Sequence, residues 1–386
     1  MSDAGVFDPT SVNLDDADQA QVVCYLNAGG NDYNGHLGAR VSSIFVIFFV
    51  STVCTFFPVV ATHAKRLRIP LYVYLFARYF GTGVIIATAF IHLLDPAYGE
   101  IGPASCVGLT GNWAQYTWPP AIALTSIMII FLLDFLADFY VENKYGVGHE
   151  GENPDVADLI TTGAGTDGAI DTTGVRPTQV DAPRNPGISD YSAGRRGVGE
   201  SKEEIIKLAD LDSLYSTPAE ADRAFKEQIA AFLILEFGVI FHSVIIGLNL
   251  GVVGDEFKTL YPVLVFHQSF EGLGIGARLS VIPFPRRLRW MPWALCLAYG
   301  LTTPISIAIG LGVRTTYNSG SFTANVVSGV LDSISAGILI YTGLVEMLAR
   351  DFIFNPKRTR DKKRLAFMLV SLYLGTGIMA LLGKWA

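Results

Sequence analysis

Two imidazoles and one carboxylate stand in neighbouring apolar stretches of this chain. The stretch LEFGVIFHSVIIGLNLG, starting at Leu235, carries Glu236, His242, Ser243 and Asn249; YPVLVFHQSFEGLGIGAR, starting at Tyr261, carries His267, Gln268 and Glu271. An ionisable side chain in hydrocarbon costs several kcal/mol, so at mid-depth it faces a partner, a cavity or an ion. His267 and Glu271 are four apart and share one helix face. With His242 from the preceding stretch, they can present two neutral nitrogen donors and one oxygen donor to a common point, a set that suits a borderline divalent cation such as zinc. The plainer reading makes the histidines buried, hydrogen-bonded packing groups. That accounts for a single histidine better than for three groups in two adjacent stretches.

Those groups need elements to hold them. The chain is 51% hydrophobic and 16% charged, where a soluble protein carries roughly a quarter charged residues. Its charges are clumped and leave apolar runs of about 20 residues, the length that crosses a hydrocarbon layer. Eight spans are expected, at 40–63, 72–94, 117–140, 227–251, 261–282, 291–312, 324–348 and 366–384. Backbone groups in lipid must bond internally, and the runs are continuous rather than alternating, so the spans are read as helices. The fold class is an all-α polytopic membrane protein. The net charge of −7 comes mainly from the N-terminal tail and one long loop. MSDAGVFDPT lacks the basic start and apolar run of a signal peptide, so the tail is expected to remain.

Basic residues cluster in alternate connections: Lys65, Arg66 and Arg68 after the first span, Arg286, Arg287 and Arg289 after the fifth, and the run Lys357 to Arg364 after the seventh. The opposite connections are nearly bare, so both termini are expected on the extracellular side. Four regions follow. Residues 1–39 are an acidic extracellular tail, and 40–140 hold helices 1–3. Residues 141–217 form a cytoplasmic loop whose Gly, Thr, Asp and Pro content cannot bury a core and predicts disorder over 147–200. Residues 218–386 hold helices 4–8, with the metal site between helices 4 and 5. Within the loop, SKEEIIKLADLDSLY reads as a short amphipathic helix, and Thr217-Pro218-Ala219-Glu220 as a capping box that starts helix 4 in the cytoplasm.

Other polar residues line a candidate pathway. His92 and Asp95, at the outer end of span 2, either attract metal at the entrance or sit in interfacial water. Glu236 either lines the inner route or pairs with Arg78 or Arg278. Thr302-Thr303-Pro304 opens the backbone of span 6 and frees carbonyls near the route, Thr303 among its residues. Asp134 and Asp138 share a face with structural or exit roles, and Asp332 and Glu346 are read as helix contacts. Cys24 and Cys106 both fall on the extracellular, oxidising side, where a disulfide or two free thiols are open.

FHSVIIGLNLG followed by HQSFEGLGIGARLS resembles the paired signature of the ZIP (Zrt/Irt-like) zinc and iron transporters, in their fungal zinc-uptake branch. The likeness extends through YNGHLGARVSSIFVIFF, ATAFIHLLDPA, LTTPISIAIG and DSISAGILIYTGLVEMLARDF. It covers nearly everything but the acidic tail and the 147–215 loop. The resemblance implies an eight-helix ZIP-like bundle, metal binding by His242, His267 and Glu271, and Ser243 and Gln268 beside them at a second position. It also implies rigid-body movement of one helix group against another. Two departures narrow this. Ile246 stands where many relatives place an acidic residue and Gln268 where some place aspartate, which favours one dominant metal site. The loop offers only His149 where relatives are often histidine-rich.

The expected function is transport of Zn²⁺ into the cytoplasm, with the metal as substrate and no cofactor. Fe²⁺ or a broader range of divalent metals on the same scaffold is the alternative. A zinc-sensing receptor or an intramembrane metalloenzyme is less favoured, since His149-Glu150 lacks the second histidine of a His-Glu-x-x-His helix. The expected surroundings are a multi-pass place in the plasma membrane, with the vacuolar membrane as alternative. The expected partners are the bilayer and a homodimeric copy, and no nucleic acid.

Overall fold

The helices are held together by glycines that let backbones touch. A Cβ at Gly81 would lie 2.1 Å from the Cα of Gly274, and one at Gly276 2.1 Å from the Thr55 carbonyl oxygen. Only a residue without a side chain permits such approaches between apolar helices. The computed structural model describes residues 17–27, 33–63, 70–145, 218–354, 359 and 361–385. These belong to one unit, Met1–Val141 with Glu203–Ala386, except for the last residues of one helix, which fall in a second unit, Glu142–Lys202.

In chain order the elements are α1 (Gln19–Asn27), α2 (Leu37–His63) and α3 (Leu71–Ala87). A π-helical segment (Thr88–Leu94) joins α3 to α4 (Asp95–Ile101). Then come α5 (Trp118–Tyr145), α6 (Pro218–Val252), α7 (Phe257–Leu279), α8 (Met291–Val313) and α9 (Phe322–Tyr341). A second π-helical segment (Thr342–Phe354) extends α9, and α10 (Lys362–Leu382) closes the chain. Local chemistry marks the starts. The Ser321 hydroxyl accepts from the Ala324 amide at 3.3 Å, and Asp361 Oδ1 from the Lys363 amide at 2.9 Å; both satisfy orphan donors of a first turn. α8 begins with proline in its first turn, where a missing amide hydrogen costs nothing.

No strand occurs among the described residues. Among the described residues, seven helical stretches are long and apolar enough to cross a membrane: Leu37–Thr62, Leu71–Ile101, Trp118–Tyr140, Ala221–Val252, Arg286–Val313, Phe322–Phe354 and Lys362–Leu382. The fifth expected span is also a helix, α7, with 23 residues. It falls outside the seven because polar groups interrupt it, and those groups are buried against α2, α3 and α8. The second span runs past the expected 94 to Ile101, its helix continuing through the π-helical segment. α5 lies at the margin, with most of its apolar side chains exposed.

At one end of the bundle Arg40 is wholly buried. Its guanidinium donates to the carbonyls of Leu250 (3.0 Å), Gly251 (3.3 Å) and Val253, closing the C-terminal end of α6. It also lies over the Tyr33 and Phe257 rings. Those carbonyls have no intrahelical donor and carry the negative end of the helix dipole, so a fixed cation satisfies both needs. The same end holds the disulfide Cys24–Cys106, which ties α1 to the connection between α4 and α5. The free thiols among the described residues are Cys54 and Cys296. α6 begins at Pro218, as expected for a helix that starts before its apolar run. Thr217, the 201–215 segment and the 147–200 loop lie outside the described residues.

Candidate metal centre

α6 and α7 bring the two imidazoles together. His242 Nε2 lies 3.2 Å from His267 Nε2, and Glu271 Oε2 lies 3.8 Å from His267 Nε2. Two nitrogen ligands on one tetrahedral zinc, each about 2.0–2.1 Å from the metal, stand roughly 3.3 Å apart. The separation of the imidazoles therefore matches a shared ion, and the carboxylate stands slightly wider. All three side chains are buried, as are Ser243 and Gln268 beside them. The arrangement is not a closed cage: among the described residues no group of three or more His, Cys, Asp or Glu is already disposed around a metal position. What remains is chemically unsatisfied. His267 Nδ1, Glu271 Oε1, Gln268 Nε2 and Ser243 Oγ have no hydrogen-bond partner, a costly state for buried polar atoms unless a ligand engages them.

Two further side chains complete the cluster. The Tyr299 hydroxyl, from α8, lies 3.2 Å from Glu271 Oε2 and 3.0 Å from the Gln268 side-chain oxygen. Sequence reasoning missed it, although a tyrosine inside an apolar span signals a buried hydrogen-bond partner. His92, from the first π-helical segment, packs edge-on to His267 with ring centroids 4.8 Å apart, and its Nε2 lies 3.1 Å from the Met379 carbonyl oxygen. This corrects its reading as a residue in interfacial water. Buried by the helices around it, His92 is a third imidazole against the pair.

A cavity of about 290 Å³ leads away from His242 and His92. Its walls include Asp95, Glu100, Asn249 and Asp332. Asp95 is exposed, so the cavity reaches solvent at the end that carries the α4–α5 connection. Asn249 and Asp95 thus line one cavity with His92 and His242. Asp332, read from sequence as a helix contact, is buried with Oδ1 unpartnered and lines the cavity instead. Glu100 was not singled out at all, and its Oε2 is likewise without a partner.

On the other side of the cluster, Glu236 lies on α6 ahead of His242, buried, with neither oxygen hydrogen-bonded. It therefore pairs with neither Arg78 nor Arg278, the expected alternatives; Arg78 is held by Asp351, at 2.7 Å. Thr303 is buried with Oγ1 unpartnered, and its carbonyl faces Gly247 of α6. The carbonyl that Pro304 leaves without a helical donor is that of Gly300. It faces Ser51 Oγ of α2 at 3.4 Å rather than the route. Asp134 accepts from the Tyr341 hydroxyl at 2.8 Å and Glu346 pairs with Arg350 at 2.8 Å, structural roles for both.

The family model described as ZIP zinc transporter matches residues 37–383, nearly the whole chain. The chain belongs to the ZIP family. Among ZIP relatives it is 57% identical to zinc-regulated transporter 1 of Saccharomyces cerevisiae, over 98% of this chain and 97% of that protein. It is 42% identical to zinc-regulated transporter 1 of Schizosaccharomyces pombe, over 97% and 92% of the two chains. It is 35% identical to zinc-regulated transporter 2 of S. cerevisiae, over 92% and 96%. No solved structure matches this ZIP chain.

Proposed function

We propose that this chain carries Zn²⁺ across the plasma membrane into the cytoplasm, as a substrate bound in passing by His242, His267 and Glu271. The observation that carries the reading is the 3.2 Å approach of two buried imidazoles beside a buried carboxylate. The relatives named as zinc-regulated transporters support the choice of metal. α7 makes the eighth crossing: its His267, Gln268 and Glu271 are buried among neighbouring helices, and its mid-span exposed side chain is Phe266. With eight crossings and the basic connections inside, both termini are extracellular.

Zinc enters through the cavity below Asp95, loses water at the imidazoles, and passes towards Glu236. Neutral imidazole must supply the lone pair, so protons compete with the metal. The cluster is open rather than tetrahedral and closed, which lets an ion leave as well as arrive. Ser243 and Gln268 flank the site, and Tyr299 orients Glu271. Fe²⁺ uses the same donor types and competes less well if imidazole count decides.

The test is uptake of radiolabelled zinc by His267→Ala and Glu271→Ala variants in a host deficient in its own uptake, with surface protein quantified. Both variants are expected to reach the surface and transport almost nothing. Near-normal uptake by either removes the assignment. Excess Fe²⁺ or Mn²⁺ in the same assay ranks the metals.

A further inference from the structure

We propose that Glu100 and Asp332 form a second, oxygen-donor site in the cavity, which holds a partly hydrated divalent cation. α4 and α9 touch at this point: a Cβ on Gly329 would lie 3.2 Å from the Glu100 Cβ. Asp332, three residues beyond Gly329, falls on the same helix face. Both carboxylates line the cavity. Asp332 is only 4% exposed, and its Oδ1 has no hydrogen-bond partner; Glu100 Oε2 is buried and equally unpartnered. Two carboxyl groups so placed repel when ionised unless a cation or a proton lies between them. The described residues lining the cavity include no lysine or arginine to serve.

The surroundings favour a metal ion over a proton alone. Tyr317 and Ser328 add oxygen donors to the same wall. Oxygen-only sites suit harder ions that retain water. At about 30 Å³ per water, a cavity of about 290 Å³ has room for an ion with much of its shell. Glu100 stands eight residues past His92, roughly 12 Å along a helix at 1.5 Å per residue. The outer pair therefore gathers hydrated cations, and the imidazoles beyond select among them. The role as a gathering site rests on the transport reading above; the binding itself does not.

Mn²⁺ is the probe, because it prefers oxygen donors and its free form is read directly by electron paramagnetic resonance. The full chain in lipid nanodiscs is expected to bind Mn²⁺. A chain carrying Glu100→Gln and Asp332→Asn is expected to bind it at least tenfold more weakly, while His242→Ala with His267→Ala keeps Mn²⁺ and loses zinc. Unchanged Mn²⁺ binding in the amide variant overturns the proposal. So does binding that vanishes with the histidines, or its absence from the unaltered chain, which would mean a shared proton only. If the amide variant also loses zinc, Asp332→Glu decides: Mn²⁺ kept supports the site, Mn²⁺ lost overturns it. Zinc uptake by the unaltered chain is read separately, and its absence would sink the transport reading while leaving the Mn²⁺ result intact.

Discussion

The Tyr299 hydroxyl reaches across from α8 to within 3.2 Å of Glu271 Oε2, and it is the hydrogen-bond partner of that carboxylate. A bond to a charged group contributes about 1.5–3 kcal/mol. Tyr299→Phe keeps the ring and its packing while freeing the carboxylate to turn. Half-saturation for zinc is expected to rise roughly tenfold, in line with that energy, with surface abundance unchanged. An unaltered zinc affinity would show that Tyr299 serves packing alone.

Acid should inhibit through affinity rather than through the amount of protein. His267 is faced by His92, His242, Glu271 and, beyond the carboxylate, Tyr299. Protonation of His242 or His267 removes a donor, and protonation of any of the three imidazoles adds a like charge to the proposed zinc site. As external pH is lowered, the KM for zinc is expected to increase once protons reach the imidazoles. Maximal uptake at saturating zinc should change less. Acid inhibition that lowers maximal uptake while the KM stays constant contradicts imidazole ligation.

Helix contact at Gly81 and Gly274 admits no side chain, since a Cβ on either would strike the backbone of the other. Gly274→Ala therefore has to push α7 from α3, taking His267 and Glu271 with it. Overpacking of this kind costs roughly 1–3 kcal/mol or more. Lower surface abundance and weakened zinc uptake are both expected, measured by surface labelling and uptake per molecule. Alanine at Gly377, where no atom lies within 4 Å of the new Cβ, should leave both unchanged.

The Cys24–Cys106 bridge closes a loop of sequence separation 82 that contains His92 but neither His242 nor His267. Removing a disulfide costs about 2–4 kcal/mol in typical cases. Cys24→Ser and Cys106→Ser are expected to lower the thermal midpoint without changing KM for zinc. Peptide mapping without reductant should recover the two cysteines in one linked fragment.

The spans could be read from sequence because continuous apolar runs leave lipid as their only suitable surrounding. His267 and Glu271 could be paired because four residues make about one helical turn. Tyr299 could not be placed, because which residue of α8 faces Glu271 depends on the packing of three helices rather than on any spacing within one. Arg40 was passed over for the same reason: it lies far in sequence from the carbonyls of Leu250, Gly251 and Val253 that hold it. Asp332 looked like a helix contact because sequence shows a charge within a span but not the empty space beside it. Much of the tail, most of the long loop and the basic residues Lys65, Arg66, Arg68, Lys357, Arg358 and Arg360 lie outside the described residues.

The π-helical segment at Thr88–Leu94 has a geometric effect beyond placing His92. Such a turn takes about one residue more than an α-turn, and one residue is about 100° around a helix. Everything after Leu94 is thus rotated by nearly a third of a revolution from where a regular wheel drawn through span 2 would put it. Asp95 and Glu100 owe their outlook on the cavity to that offset. Deleting one residue from the segment would keep every donor in the chain yet swing both carboxylates away from it.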